Sequence, residues 1–241
     1  MRKITLLAGV LSAMLTCSPA AHAQAPDAVR EYQRLAGPRS ILYRARQADN
    51  YTFSFNGTPY WEYGDFLTGD IVCERRAYYG VRFRIDAHTH RALVKMDDNP
   101  FSVALLPQQV SSLQADGRRF VGVGPDQVLQ EGFYEVFGEG PEQVYKRVDK
   151  FLQSSVNNVN GSGIGYDDPQ YRSDVYRYFS LQTTYFFRDA EGRFTRLKGR
   201  NSLFRHFPER RAELRRAVRE ARIGRRDFDG CCRLVLKLTA R

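Results

Sequence analysis

Residues 78–96 read YYGVRFRIDAHTHRALVKM, and this stretch decides the fold class. Val81, Phe83 and Ile85 alternate with Arg82 and Arg84, so an extended chain carries apolar side chains on one face and cations on the other. The polar run 86–91 reverses the chain, and Ala92-Leu-Val-Lys-Met96 returns as the second strand of a hairpin. Working outward, the signature recurs. Residues 101–106 read as a strand stopped by Pro107, and 120–123 as another. Residues 132–137 are followed by the turn Gly138-Glu-Gly-Pro141 and by 143–148, while 175–187 and 193–197 flank Asp189-Ala-Glu-Gly192. Residues 51–55 alternate as well. Asn56-Gly57 tolerates the positive φ of a tight turn and predicts a hairpin with Pro59-Tyr-Trp61. Strands at this spacing predict an α+β protein that is mainly antiparallel β, as a curved sheet, sandwich or open barrel. Residues 154–168, rich in Asn, Gly and Ser, read as a long surface loop.

The two ends differ from this middle. Arg2 and Lys3 precede an apolar run from Ile4 to Leu15, and Ala21-His-Ala23 places small residues where a signal peptidase cuts. Residues 1–23 are therefore expected to be a signal peptide cleaved after Ala23, with 24–200 as the β-rich part. Val29, Tyr32 and Leu35 give a short N-terminal helix over 26–35, ended by Gly37-Pro38. Residues 201–241 read as two C-terminal helices packed on the sheet in the same domain. Asn201 or Ser202 can cap a helix, Pro208 suits the first turn of the next one, which Gly224 is placed to end, and Leu203, Phe207, Leu214, Val218 and Ala221 give an apolar stripe. Asp227 caps the last helix, whose Phe228, Cys231, Cys232, Val235 and Leu238 recur at helical spacing. No segment after the leader has the roughly 20 apolar residues of a membrane span.

Charge concentrates in the tail. The whole chain carries +10, and without the two leader cations +8. Residues 193–226 hold thirteen Arg or Lys against Glu209, Glu213 and Glu220. Such density attracts polyanions, and for an exported chain these are lipid headgroups, lipopolysaccharide phosphates and acidic glycans rather than nucleic acid. Arg205, Arg210, Arg211, Arg215, Arg216 and Arg219 are the candidate anion-binding residues, weighed against an ordinary solvated helix face.

Other chemistry is weaker. Asp86, His88 and His90 alternate but lack a third and fourth ligand partner, so no metal is expected. Asn160-Gly-Ser-Gly-Ile-Gly165 lacks the lysine of a phosphate loop. Adjacent Asp167 and Asp168 diverge too much for glycosidic chemistry. Of the cysteines left after the leader, Cys73 can bridge to Cys231 or Cys232 in an oxidising compartment, or all three can be buried thiols. Aromatics gather early (Tyr51, Phe53, Phe55, Tyr60, Trp61, Tyr63, Phe66) and late (Tyr171, Tyr176, Tyr178, Phe179, Tyr185, Phe186, Phe187), as core or as the lining of an apolar cleft.

The runs Tyr78–Asp86 and Ala92–Met96, then Gly132-Phe-Tyr-Glu-Val-Phe137 with Val144-Tyr-Lys146, resemble those of a group of uncharacterised exported proteins of the Bacteroidetes. Tyr185-Phe-Phe187, Gly192-Arg-Phe194 and Ser202-Leu-Phe-Arg-His-Phe-Pro-Glu-Arg-Arg211 extend the likeness over most of the chain after the leader. The resemblance implies an envelope location and a β-rich fold with C-terminal helices, and brings no activity. The expectation is a periplasmic or outer-membrane-associated, non-enzymatic protein without cofactor. It acts by binding an apolar ligand, an anionic surface (lipid or lipopolysaccharide) or another envelope protein. The alternative is an envelope-polymer hydrolase with no identified catalytic residues.

Overall fold

The hairpin read from residues 78–96 forms as strands β2 (Arg76–Asp86) and β3 (Arg91–Lys95). It belongs to a computed structural model that describes residues 41–62, 64–96, 100–125, 127–156 and 175–240, and the single positions 27, 31 and 35. The expected leader over 1–23, the expected helix over 26–35 apart from those three positions, the expected loop over 154–168 beyond residue 156, with Asp167 and Asp168, and Tyr63 and Tyr171 lie outside the described residues.

The fold is mostly antiparallel β, and among the described residues three helices follow the last strand. Around the hairpin stand β1 (Leu67–Cys73), β4 (Ser102–Leu105), β5 (Val110–Ala115), β6 (Arg118–Val123), β7 (Gly132–Phe137), β8 (Gln143–Val156), β9 (Val175–Arg188) and β10 (Phe194–Leu197). They form one open sheet in the order β10-β9-β8-β7-β6-β5-β1-β2-β3-β4, with every neighbouring pair antiparallel.

The single break in this meander forces the sheet to curve. β4 connects to β5 through residues 106–109, which contain a 3-10 turn, although β3, β2 and β1 lie between them in the sheet. Four strand spacings on a flat sheet measure about 19 Å. Five fully extended residue steps reach about 17 Å, and a 3-10 turn reaches less. The strands must therefore roll so that the ends of β4 and β5 approach. The roll encloses a first apolar core of Ile71, Phe83, Val94, Leu105, Leu113, Phe120 and neighbours, closed by Leu42 and Trp61. Farther along, Lys150 N donates to Ala87 O at 3.0 Å, which docks the β2–β3 turn on β8.

The second core lies where the helices cover β7–β10. These are α1 (Arg200–Phe204), α2 (Arg211–Glu220) and α3 (Phe228–Thr239), so a short α1 precedes the expected pair. Leu203, Leu214, Val218, Cys231, Cys232 and Val235 bury their apolar stripes against Phe137, Val144, Phe187 and Leu197. Asp227 caps α3 as its position suggests, its carboxylate accepting from Gly230 N at 2.7 Å. Gly224 does not end α2. Arg222 takes the left-handed conformation there (φ 52), and Ile223 N reaches back to Val218 O at 3.3 Å.

The 51–61 hairpin does not form. Gly57 does take a positive φ of 83, but its flanks pair elsewhere. Asn56 bridges Tyr178 on β9, and Tyr60 bridges Asp86 at the end of β2. Two long-range strand edges satisfy those backbone groups, which a self-paired hairpin of a few residues would otherwise have used.

Candidate functional site

Helix α2 is built to bury one stripe and expose the rest. Leu214 and Val218, one turn apart, are buried in the second core, while Arg211, Arg215, Arg216 and Arg219 are exposed. The structure divides the six candidate arginines by what holds them. Arg210 forks onto Glu213 at 3.0 and 2.7 Å and donates to Leu238 O at 2.6 Å, tying the start of α2 to the end of α3. Arg216 pairs with Glu220 at 2.6 Å. Arg215 donates to Asn201 Oδ1 at 3.0 Å and lies 5.8 Å from the Phe204 ring. Arg205, Arg211 and Arg219 are exposed, and their side chains make no hydrogen bond or ion pair among the described residues.

Arg211, Arg215 and Arg219 stand four residues apart and form one stripe along α2. Beside it, Arg200 at the start of α1 turns its guanidinium onto the carbonyls of Ile223, Gly224 and Asp227 and holds the α2–α3 connection. Arg200, Phe204, Arg215, Val218 and Arg219 surround an open depression of about 360 Å³. Sequence reading missed Arg200, because its place beside the stripe depends on how α1 packs against α2.

A second charged group was not anticipated at all. On β7, Phe133 belongs to the first core and Phe137 to the second, and Glu135 sits between them on the same face, 1% exposed. Arg118 grips Glu135 at 2.9 Å through both Nε and Nη2 and reaches Glu62 at 2.6 Å. Arg233 of α3 donates to Glu135 at 3.1 Å. Lys146, opposite Glu135 on β8, lies 3.6 Å from it and 2.5 Å from Asp229. Glu62, Glu135 and Asp229 thus balance Arg118, Lys146 and Arg233. Burial lowers the proton affinity of Arg118, but its bonds to Glu135 and Glu62 outweigh this and raise it. Tyr185 donates to Asp229 at 2.7 Å, and burial, then that bond, pushes its hydroxyl far up.

The sequence triplet Asp86, His88 and His90 diverges. Asp86 caps the β2–β3 turn, accepting from His88 N at 2.8 Å, Thr89 N at 3.0 Å and Tyr51 OH at 2.8 Å. His88 Nδ1 faces Lys150 O at 2.8 Å. His90 Nε2 lies 2.9 Å from Asp149, which Arg147 also binds at 2.8 Å. Burial lifts the Asp149 carboxyl, but His90 and Arg147 together outweigh it and hold the group below the ordinary carboxylate range. Gly132 makes room for this cluster: at φ 152, a Cβ would stand 2.6 Å from Arg147 Nη1 and 2.9 Å from His90 Nδ1. Among the described residues no group of His, Cys, Asp and Glu is arranged to hold a metal ion.

The three cysteines are free thiols in separate cores, Cys73 in the first and Cys231 and Cys232 in the second, so no Cys73 bridge is formed here. Burial, with the Glu74 charge adding, pushes the Cys73 thiol up to about 11, and burial raises Cys231 and Cys232 as well. Thiols held in that state are poor nucleophiles. The early and late aromatics do meet: Phe55 packs edge-on to Phe179 at 5.0 Å, with Tyr51 and His88 beside them. This cluster is half-buried. Two other concavities lie elsewhere on the described surface. One of about 560 Å³ lies between residues 45–51 and β2–β4, and one of about 390 Å³ lies between the β7–β8 turn and the end of α3.

No protein-family model, curated protein or solved structure matches the chain, so the site is read from its own geometry. Among the described residues no helix is long and apolar enough to cross a membrane.

Proposed function

We propose that this is an exported, non-enzymatic binding protein of the cell envelope, periplasmic or outer-membrane-associated, whose arginine face on α1 and α2 engages a phosphate-bearing anionic surface. In this reading residues 1–23 are removed after Ala23, and the sheet is a curved open scaffold rather than a sandwich or closed barrel. The observation that carries it is the stripe Arg211, Arg215 and Arg219, of which two have side chains with no hydrogen bond or ion pair among the described residues and the third makes one side-chain hydrogen bond, to a neutral amide. The two neighbouring cations Arg210 and Arg216 are neutralised by their own glutamates. A helix face that stabilised itself would pair its arginines in the same way.

The test is flotation of the purified protein with vesicles of phosphatidylglycerol in phosphatidylcholine, against phosphatidylcholine alone. Each cation at an anionic surface contributes about 1 kcal/mol. Reversing Arg211, Arg215 and Arg219 to Glu is therefore expected to weaken binding by on the order of a hundredfold or more. Raising salt from low to physiological strength, where the Debye length shrinks to about 8 Å, is expected to weaken the wild type in the same direction. Vesicle binding left unchanged by the triple reversal defeats the proposal.

A further inference from the structure

We infer that the depression between α1 and α2 is a seat for a single phosphomonoester group, bound by Arg200, Arg215 and Arg219 over a floor of Phe204 and Val218. This deepens the reading above and rests on it, because it names the headgroup chemistry that the arginine face selects.

Three features separate this depression from the rest of the face. Its cations converge from two helices, Arg200 from α1 and Arg215 and Arg219 from successive turns of α2, whereas Arg211 projects from α2 alone. Two of the three are held in place before any ligand arrives. Arg200 is anchored through Nη2 on Gly224 O and Asp227 O, and Arg215 is oriented by Asn201 Oδ1 and the Phe204 ring. Pre-ordered guanidinium groups lose less entropy on binding than free ones. The floor is apolar, since Phe204 and Val218 are each 4% exposed, and no acidic residue lines the depression. Apolar walls lower the local dielectric and strengthen each charge contact.

The three arginines set the ligand class. A phosphomonoester near neutral pH carries close to two charges and three terminal oxygens, enough to meet three guanidinium groups. A phosphodiester has one charge and two terminal oxygens, so it offers the same three cations half the charge and fewer acceptor positions. The other concavities fit this ligand less well. The one near the end of α3 is rimmed by Glu139, Glu142 and Glu209, which repel phosphate. The one between residues 45–51 and β2–β4 sets Asp49 and Asp86 against its Arg46 and Arg91, so its cations already face carboxylates that repel phosphate.

Binding to vesicles of phosphatidic acid, a monoester, and of phosphatidylglycerol, a diester, is compared at pH 8 with surface charge matched. The expected result is at least fivefold tighter binding to phosphatidic acid. Arg211→Gln and Arg219→Gln each remove one exposed cation, so both are expected to weaken binding to phosphatidylglycerol about fivefold. Only Arg219→Gln is expected to abolish the monoester preference, and Arg215→Gln serves as the second variant with the same expectation. Equal preference in Arg211→Gln and Arg219→Gln overturns the seat but leaves the anionic face standing. No binding to either vesicle, together with no phosphate binding by calorimetry, overturns both. Inorganic phosphate distinguishes the source of the ligand: millimolar phosphate displacing the protein from phosphatidic acid, where chloride at equal ionic strength does not, confirms a seat for the group itself. Phosphate binding by calorimetry without any vesicle binding assigns the seat to a soluble phosphate and defeats the surface reading.

Discussion

The cations between the two cores and those along α2 stand in different surroundings, for Arg118 and Lys146 are largely buried and only Arg233, at the edge of the band, is half-exposed. Arg118, Lys146 and Arg233 meet Glu62, Glu135 and Asp229 at short range, in a band that α3 closes over β6–β8. Arg205, Arg211 and Arg219 meet solvent. Buried charge is tolerated only when paired, because transfer from water costs several kcal/mol per ion. Exposed charge has no such requirement and remains available to a partner. The contrast separates cations that hold the structure together from cations left open to solvent.

Removing one member of the band is the strongest way to break this comparison. Glu135→Ala removes the buried carboxylate that Arg118, Lys146 and Arg233 share, and because Arg118 keeps Glu62 and Lys146 keeps Asp229, the expected cost is at the lower end of the about 3–5 kcal/mol of a broken buried pair. Urea denaturation should show that loss directly, and a change below about 1 kcal/mol would mean that the band contributes nothing special.

The cluster on the β2–β3 turn sharpens the rule at a smaller scale. Asp149→Asn deprives Arg147, whose side chain is 5% exposed, of its carboxylate while leaving the carbonyls of Gln130 and Glu131, at an expected cost of about 1–3 kcal/mol. The folded Asp149 is held below the ordinary carboxylate range, so its contribution is complete above that range and is lost as pH falls through the folded value. Wild type and variant should therefore converge in stability as acid is added. A gap that stays constant from about pH 7 to about pH 3 would contradict the assignment.

The smallest effect belongs to the exposed pair. Arg216 and Glu220 form a good i,i+4 bond, but their side chains are 75% and 63% exposed. Water screening limits such a pair to about 0.3–0.5 kcal/mol, so Arg216→Ala should shift the melting midpoint by little. A loss comparable to that of Glu135→Ala would erase the distinction between the two regions.

Turn chemistry shows where sequence reading succeeded and where it misled. Asn56-Gly57 is a strong local hairpin signal, yet its flanks pair with β9 and β2. The β1–β2 turn, by contrast, uses Glu74 and Arg75, both left-handed at φ 48 and 66, without any residue that advertises the conformation. Strand β5 escaped notice because Ser111 is an extra residue in its pairing with β1. Val110 and Leu113 then both face the core, three apart rather than two. Similarly, Tyr78 and Val81 share the core side because β2 bulges near Gly80, at φ 63.

By itself the sequence determined what is encoded within one turn or one strand: the β2–β3 hairpin, the apolar stripes of α2 and α3, the Asp227 cap and the charge of the tail. Those features depend on neighbours a few residues apart, where backbone geometry relates sequence spacing directly to a shared face. Only the tertiary structure decided which charges are neutralised and which remain open. Glu62, Glu135 and Asp229 are far apart in the chain, and in sequence Glu135 is one polar residue in the strand 132–137. The roll of the sheet and the seating of α3 bring these groups together and give Arg200 its place beside the stripe on α2. Side-chain pairing at that range depends on packing rather than on local spacing.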